Sequence, residues 1–373
     1  MIEELVMEKT RKKNVIRVAA LVAAGVLSAL GFALFGMPDG GPPGPPQKDM
    51  LIDAATRNEA IEAAIARLGQ FYVFPEKAAA IEKQLRAQMQ QGDFDSVTSA
   101  EQFAQALTEA LQRDSHDKHL AVRYFEKALP ELAPGQDQSP EEQAEEYFEQ
   151  MRRNFGFENV GRLHGNIGYI DLHAFARPQY AAERIAAAMA LLADTKALII
   201  DLRKCGGGDP ETVMLFANYL FDQRTHLNDV YWRDENRTEE RWTQDNVPGK
   251  KYGGARKVYL LTSADTFSGG EDFAYALKNS GRATLVGETT GGGANAGNPH
   301  RLSAHFMLFV PSGRPISPVT HTNWEGVGVT PDIEASEKNA LKVAHIALLK
   351  ELLATETDPR WTYVLQRTLA DPG

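Results

Sequence analysis

The sequence predicts an α/β protein with a largely parallel sheet, preceded by a three-helix bundle and a membrane-targeting helix. Three observations carry that prediction. Short apolar runs at Ile167-Gly168-Tyr169-Ile170, Ala197-Leu198-Ile199-Ile200 and Val258-Tyr259-Leu260-Leu261 are separated by helix-patterned stretches, the pattern of strands joined by crossovers. From Leu51 to Arg113 the apolar positions repeat at helix spacing instead. At the N-terminus a basic cluster precedes an uncharged apolar run. With 373 residues, 43% of them hydrophobic, the chain can build one large core and a smaller unit beside it.

Residues 1–37 read as a signal anchor or signal peptide. Lys9, Arg11, Lys12, Lys13 and Arg17 stand before Val18 to Met37, a run long enough as a helix to cross roughly 30 Å of hydrocarbon. The positive-inside rule keeps the basic cluster cytoplasmic and sends everything after Met37 to the far side, periplasmic or at the cell surface. Gly31-Phe32-Ala33 offers a small-x-small cleavage site, so secretion is the alternative to anchoring. Residues 38–49 are rich in proline and glycine and form an extended linker. Between 50 and 120, the sets Ile61, Ile65, Leu68, then Ile81, Leu85, Met89, then Phe103, Leu107, Leu111 predict the three helices of the bundle. Residues 121–373 form the core unit. Within it, Pro130 to Glu149 is an acidic, glutamine-rich and solvated connection. Later strands are expected at Ala283–Val286 and His305–Val310. Lys338–Leu353 closes the unit as a helix with Leu341, Ala344, Leu348 and Leu352 on one face.

Composition excludes several functions. A formal net charge of -10 and the lack of a basic stripe in the globular part argue against a nucleic-acid partner. Cys205 is the only cysteine, which rules out an intrachain disulfide and a multi-cysteine zinc site. The nine histidines contain no His-x-x-x-His pair, so no metal or other cofactor is expected.

The chemistry concentrates at strand ends. After Val258–Leu261, Thr266-Phe267-Ser268-Gly269-Gly270-Glu271 opens a helix whose apolar face is Phe273, Ala274, Ala276 and Leu277. A serine hydroxyl there lies among free N–H groups at the positive end of the helix dipole, where it can act as a nucleophile; the plainer reading is a helix cap. The strand at Ala197 runs into Arg203-Lys204-Cys205-Gly206-Gly207-Gly208-Asp209-Pro210, ahead of a helix over Glu211–Leu220. Such a glycine run is either an oxyanion loop or a tight turn, since it lacks the Gly-Lys-Ser/Thr ending of a phosphate loop. A base for Ser268 is available in Asp114-Ser115-His116-Asp117-Lys118-His119-Leu120, and an orienting acid in Glu325 of Asn323-Trp324-Glu325-Gly326-Val327-Gly328. Glu325 also reads as a plain surface carboxylate.

Taken together, Asp201-Leu202-Arg203 with its glycine run, Thr266 to Glu271, Val286-Gly287-Glu288-Thr289-Thr290-Gly291-Gly292-Gly293-Ala294-Asn295 and Gly326-Val327-Gly328-Val329-Thr330-Pro331-Asp332 resemble successive motifs of the tail-specific serine peptidases. That family includes the carboxyl-terminal processing proteases, the tricorn protease core and the modules of interphotoreceptor retinoid-binding protein. The resemblance is nearest to the retinoid-binding and tricorn-like branch. It extends into the bundle at Phe71-Tyr72-Val73-Phe74-Pro75, at Leu107-Thr108-Glu109 through His119-Leu120, and at Asn154-Phe155-Gly156-Phe157.

The resemblance implies a crotonase-like (Clp-like) core and a serine-type peptidase acting on a peptide or protein substrate. It implies Ser268 as nucleophile, His119 as general base, Glu325 as supporting acid, and the N–H groups of Gly269 and Gly207 as the oxyanion hole. Two positions depart from the family. Gly293 stands where the processing proteases carry the lysine of a serine-lysine dyad, and Lys118 stands where the tricorn branch has a serine before its histidine. The span from His119 to Ile167 is too short for the PDZ domain common in processing proteases. A non-catalytic carrier of lipophilic ligands and a small-molecule esterase or amidase are the alternative functions.

Overall fold

The structure, a computed structural model, describes residues 47–131 and 139–371. The expected membrane-targeting helix (1–37) lies outside the described residues; among those described, no helix is long and apolar enough to cross a membrane.

Three helices come first, α1 (Ala54–Phe71), α2 (Pro75–Gln91) and α3 (Ala100–Ser115). Each has a physical start signal. Asp53 and Ser99 accept hydrogen bonds from the N–H groups of Thr56 and Gln102, and Pro75 opens α2 where its missing N–H is harmless. Strand β1 (Ala121–Tyr124) follows, and then α4 (Pro140–Arg152), which falls in the expected solvated connection. Most of α4 is exposed, but its buried Glu146 pairs with Arg177 at 3.3 Å.

The core then runs β2 (Phe157–Leu163), β3 (Ile167–Leu172), α5 (Pro178–Leu191), β4 (Ala197–Asp201), α6 (Pro210–Ala217), β5 (His226–Trp232), β6 (Arg237–Trp242), β7 (Val258–Thr262) and α7 (Gly269–Asn279). It continues with β8 (Thr284–Gly287), β9 (Ala296–Arg301), β10 (Phe306–Ile316), β11 (Ile333–Glu334), α8 (Glu337–Thr355) and α9 (Pro359–Ala370). Six strands form one sheet in the order β11-β8-β7-β4-β3-β2, parallel except for the β2–β3 pair. Every residue of β4 and β7 is buried, as expected where helices cover both faces. Alternate residues divide between two cores. Leu198, Ile200, Val258 and Leu260 pack with residues of α5, α6 and α7, while Ala197, Ile199, Tyr259 and Leu261 pack with Ala344 and Leu348 of α8 and Leu365 of α9.

A second, antiparallel sheet was not expected. Its order is β1-β10-β5-β6, with β9 also paired to β10. The stretch between Ile200 and Val258, read as helix-patterned, therefore holds a β-hairpin, and the strand expected at His305–Val310 belongs to this sheet. The hairpin is hard to read because β6 (Arg-Thr-Glu-Glu-Arg-Trp) is a charged edge strand with no buried residue. This sheet shares a core with the bundle: Phe306, Leu308 and Val310 pack among Ile61, Leu68, Phe103 and Leu107. The molecule thus has two packed halves, and the chain crosses between them after β1, on either side of the β5–β6 hairpin and on either side of the β9–β10 pair.

Candidate active site

Ser268 begins α7 at the carboxyl-end side of β7, and the Gly206–Gly208 loop leaves the same end of neighbouring β4. Ligands of open α/β sheets bind in this kind of crevice. Cross-loop hydrogen bonds fix the two loops together: Thr266 Oγ1 donates to Leu202 O (2.7 Å) and Phe267 N to Cys205 O (2.9 Å). Ser268 itself has φ 52° and ψ −117°. A non-glycine residue held there is strained, and a sharp strand-to-helix turn of this sort projects a nucleophilic hydroxyl. The Ser268 N–H is satisfied by Glu271 Oε2 at 3.0 Å, so the capping carboxylate comes from within the helix.

The hydroxyl reaches across to the other half of the molecule. Ser268 Oγ lies 3.1 Å from His119 Nε2, and the imidazole sits between the rings of Phe267 and Phe309, with centroids 4.8 and 5.8 Å away. His119 stands in the short loop between α3 and β1, so the bundle half delivers the imidazole and the parallel-sheet half delivers the serine. His116, the other histidine of that loop, caps α3 in the left-handed conformation at φ 55°.

The glycine loop approaches as the sequence suggested. Gly207 has φ 109°, and a Cβ placed on it would lie 2.8 Å from both Gly269 N and Ser268 Cβ. No side chain fits between this loop and the serine.

Behind the imidazole is a buried polar cluster. Asp117 accepts from His119 N at 3.0 Å, from Tyr72 OH at 3.2 Å and from Asn295 Nδ2 at 3.0 Å, and its Oδ1 is 3.9 Å from His119 Nδ1. Glu325 directs Oε2 to the N–H groups of Ala294 (2.6 Å) and Asn295 (3.1 Å). It is not hydrogen-bonded to the imidazole, although Asp117, His119 and Glu325 each present an atom within 4.8 Å of the others. Burial lowers the His119 pKa from its ordinary 6.5, with Asp117 opposing the shift. Burial, reinforced by Asp117, raises that of Glu325 to about 8. Nothing local in the sequence marks Asp117 or Tyr72, because their convergence depends on tertiary packing.

The two departures acquire structural reasons. A Cβ on Gly293 would lie 2.1 Å from the Phe267 ring, so no lysine can stand there. Lys118 turns its ammonium to Gly291 O at 2.6 Å, across from the serine loop.

Residues 166–335 match the model of peptidase family S41, and residues 54–153 match that of the N-terminal domain of Peptidase_S41 in eukaryotic IRBP. The chain carries a peptidase family S41 domain preceded by that family's N-terminal domain. Its S41 domain carries β3 to β11, including Ser268 and Glu325, while the N-terminal domain carries His119. Carboxyl-terminal-processing peptidase 2, chloroplastic, of Arabidopsis thaliana is 30% identical over 167 residues, 44% of this chain and 31% of the relative. The alignment therefore spans about a third of that relative's length. Among solved structures, a lipoprotein from Streptococcus agalactiae superposes with a TM-score of 0.55 at 14% identity, over 83% of this chain and 99% of the other. A candidate peptidase from Parabacteroides merdae gives 0.53 at 15% identity, over 81% and 99%. At these identities the likeness is one of fold: mixed α/β with N-terminal helices.

Proposed function

We propose that this chain is a serine peptidase acting on peptide or protein substrates outside the cytoplasm, with Ser268 as nucleophile and His119 as general base. The observation that carries the reading is the 3.1 Å approach of Ser268 Oγ to His119 Nε2 at a strained turn. In this reading Ser268 Oγ bonds to the scissile carbonyl carbon as its proton passes to Nε2. The imidazolium returns that proton to the departing amine, and water then releases the acyl group by the same steps. The N–H groups of Gly269 and Gly207 receive the oxyanion, a role supported by the close approach of those two glycines.

The S41 domain supports a peptide as substrate, and the likeness to a carboxyl-terminal-processing peptidase favours cleavage near a carboxyl terminus. The parallel sheet with a helical layer on each face is in keeping with a crotonase-like core. The basic-then-apolar order of residues 1–37 supports membrane tethering or secretion.

The test is turnover of unstructured peptides followed by mass spectrometry. Wild type should cleave, and Ser268→Ala should lose about 10⁴–10⁶ in kcat with an unchanged circular dichroism spectrum. Equal cleavage by both proteins would reject the reading. Tight binding of an apolar ligand without any turnover would favour a carrier instead.

A further inference from the structure

Two carboxyl groups face the imidazole, and their environments differ. Asp117 follows the end of α3 and is buried with three hydrogen-bond donors aimed at it: the His119 N–H, the Tyr72 hydroxyl and the Asn295 amide. Three donors hold this carboxyl group in one orientation, with Oδ1 toward the imidazole. Glu325 lies against Asp117 as well as His119, and its Oε2 is taken up by the N–H groups of two consecutive residues. Two buried carboxyl groups this close do not both ionise readily, and Glu325 is the one pushed up, to about 8. A carboxyl group whose ionisation is opposed in this way, and whose Oε2 is already taken up by two N–H groups, is poorly placed to balance a developing imidazolium.

We propose that Asp117, rather than Glu325, is the positioning residue for His119: it supplies the negative charge opposite the imidazolium and holds the loop so that Nε2 faces Ser268. Glu325 fixes the 294–295 backbone, which in turn aims the Asn295 amide at Asp117. The present 3.9 Å between Asp117 Oδ1 and His119 Nδ1 is longer than a hydrogen bond, and a small ring rotation closes it when the imidazolium forms. No other charge competes. Tyr72 lies behind Asp117, Glu271 is committed to the N–H groups of Ser268, Gly292 and Gly293, and the Lys118 ammonium is bound to Gly291 O.

The assignment rests on the peptidase reading for its catalytic meaning, but the imidazole can be read directly. In full-length protein carrying Ser268→Ala, the His119 ring is titrated by NMR with Asp117→Asn or Glu325→Gln added. Asp117→Asn should move the His119 titration to lower pH, because an anion that favours the charged ring is gone. Glu325→Gln should leave it in place, because the Glu325 carboxyl group is committed to the 294–295 N–H groups and burial opposes its charge. With Ser268 intact, Asp117→Asn should lower kcat by about 10²–10⁴ at little change in KM and carry the acid limb of kcat/KM to lower pH. Glu325→Gln should lose less than about tenfold with the limb unmoved. A lower His119 titration in Glu325→Gln overturns the proposal. That variant keeps a side-chain oxygen for the 294–295 N–H groups, so it decides the question even where Asp117→Asn fails to fold. Absence of turnover in wild type alongside the expected NMR shifts would reject the peptidase reading and leave the charge assignment standing.

Discussion

Gly293 has the Phe267 ring directly over the position a side chain would take, and Phe267 in turn packs against His119. A lysine at 293 would have to displace the ring that seats the base, so the serine-lysine arrangement and this histidine arrangement exclude each other in one site. Gly293→Ala should destabilise the protein by about 1–3 kcal/mol in urea unfolding, through overpacking, and should lower activity with it. The same buried setting fixes a pH response. His119 is held below its ordinary 6.5 by desolvation, so the neutral base persists under mildly acid conditions. The expected kcat/KM profile keeps more than half its plateau at pH 6.5 and falls at more acid pH, as the imidazole protonates and can no longer accept the Ser268 proton. A fall already half complete above pH 6.5 would mean that another group controls the reaction.

At the scale of elements, legibility in the sequence followed burial. Fully buried β4 and β7 are apolar up to their last residues, Asp201 and Thr262, and α7 shows its inward face as Phe273, Ala274, Ala276 and Leu277, so all three could be read directly. The β5–β6 hairpin could not, because its outer strand is charged and half its pattern faces water. The site divides the same way. Ser268 and the glycine loop were legible because a strand-turn-helix step and a run of glycines are local signals. Which carboxyl group lies behind His119 was not, because Asp117 acquires its role only when Tyr72 from the end of α1 and Asn295 from the loop before β9 fold onto it. Glycine there has local causes too: the chain at Gly207 takes φ 109° while its backbone touches the serine loop.

Across the whole molecule, the proposed base and nucleophile come from different halves, and the bundle and the parallel sheet have separate cores. On that proposal the bundle is indispensable for chemistry, since it carries His119 and packs on β10. Phe306, fully buried and edge-on to Phe103 at 5.3 Å, joins bundle to sheet. Phe306→Ala should cost about 3–5 kcal/mol, and calorimetry should show activity lost together with the first unfolding transition. Retention of full activity after that transition would mean the halves are not coupled at the site. The most direct test of the central claim, a serine activated by His119, is the intact mass of the protein after treatment with a fluorophosphonate. The account predicts one adduct on wild type, mapped to Ser268, and none on Ser268→Ala or His119→Ala; a folded wild type that stays unmodified, or full labelling of His119→Ala, would contradict it.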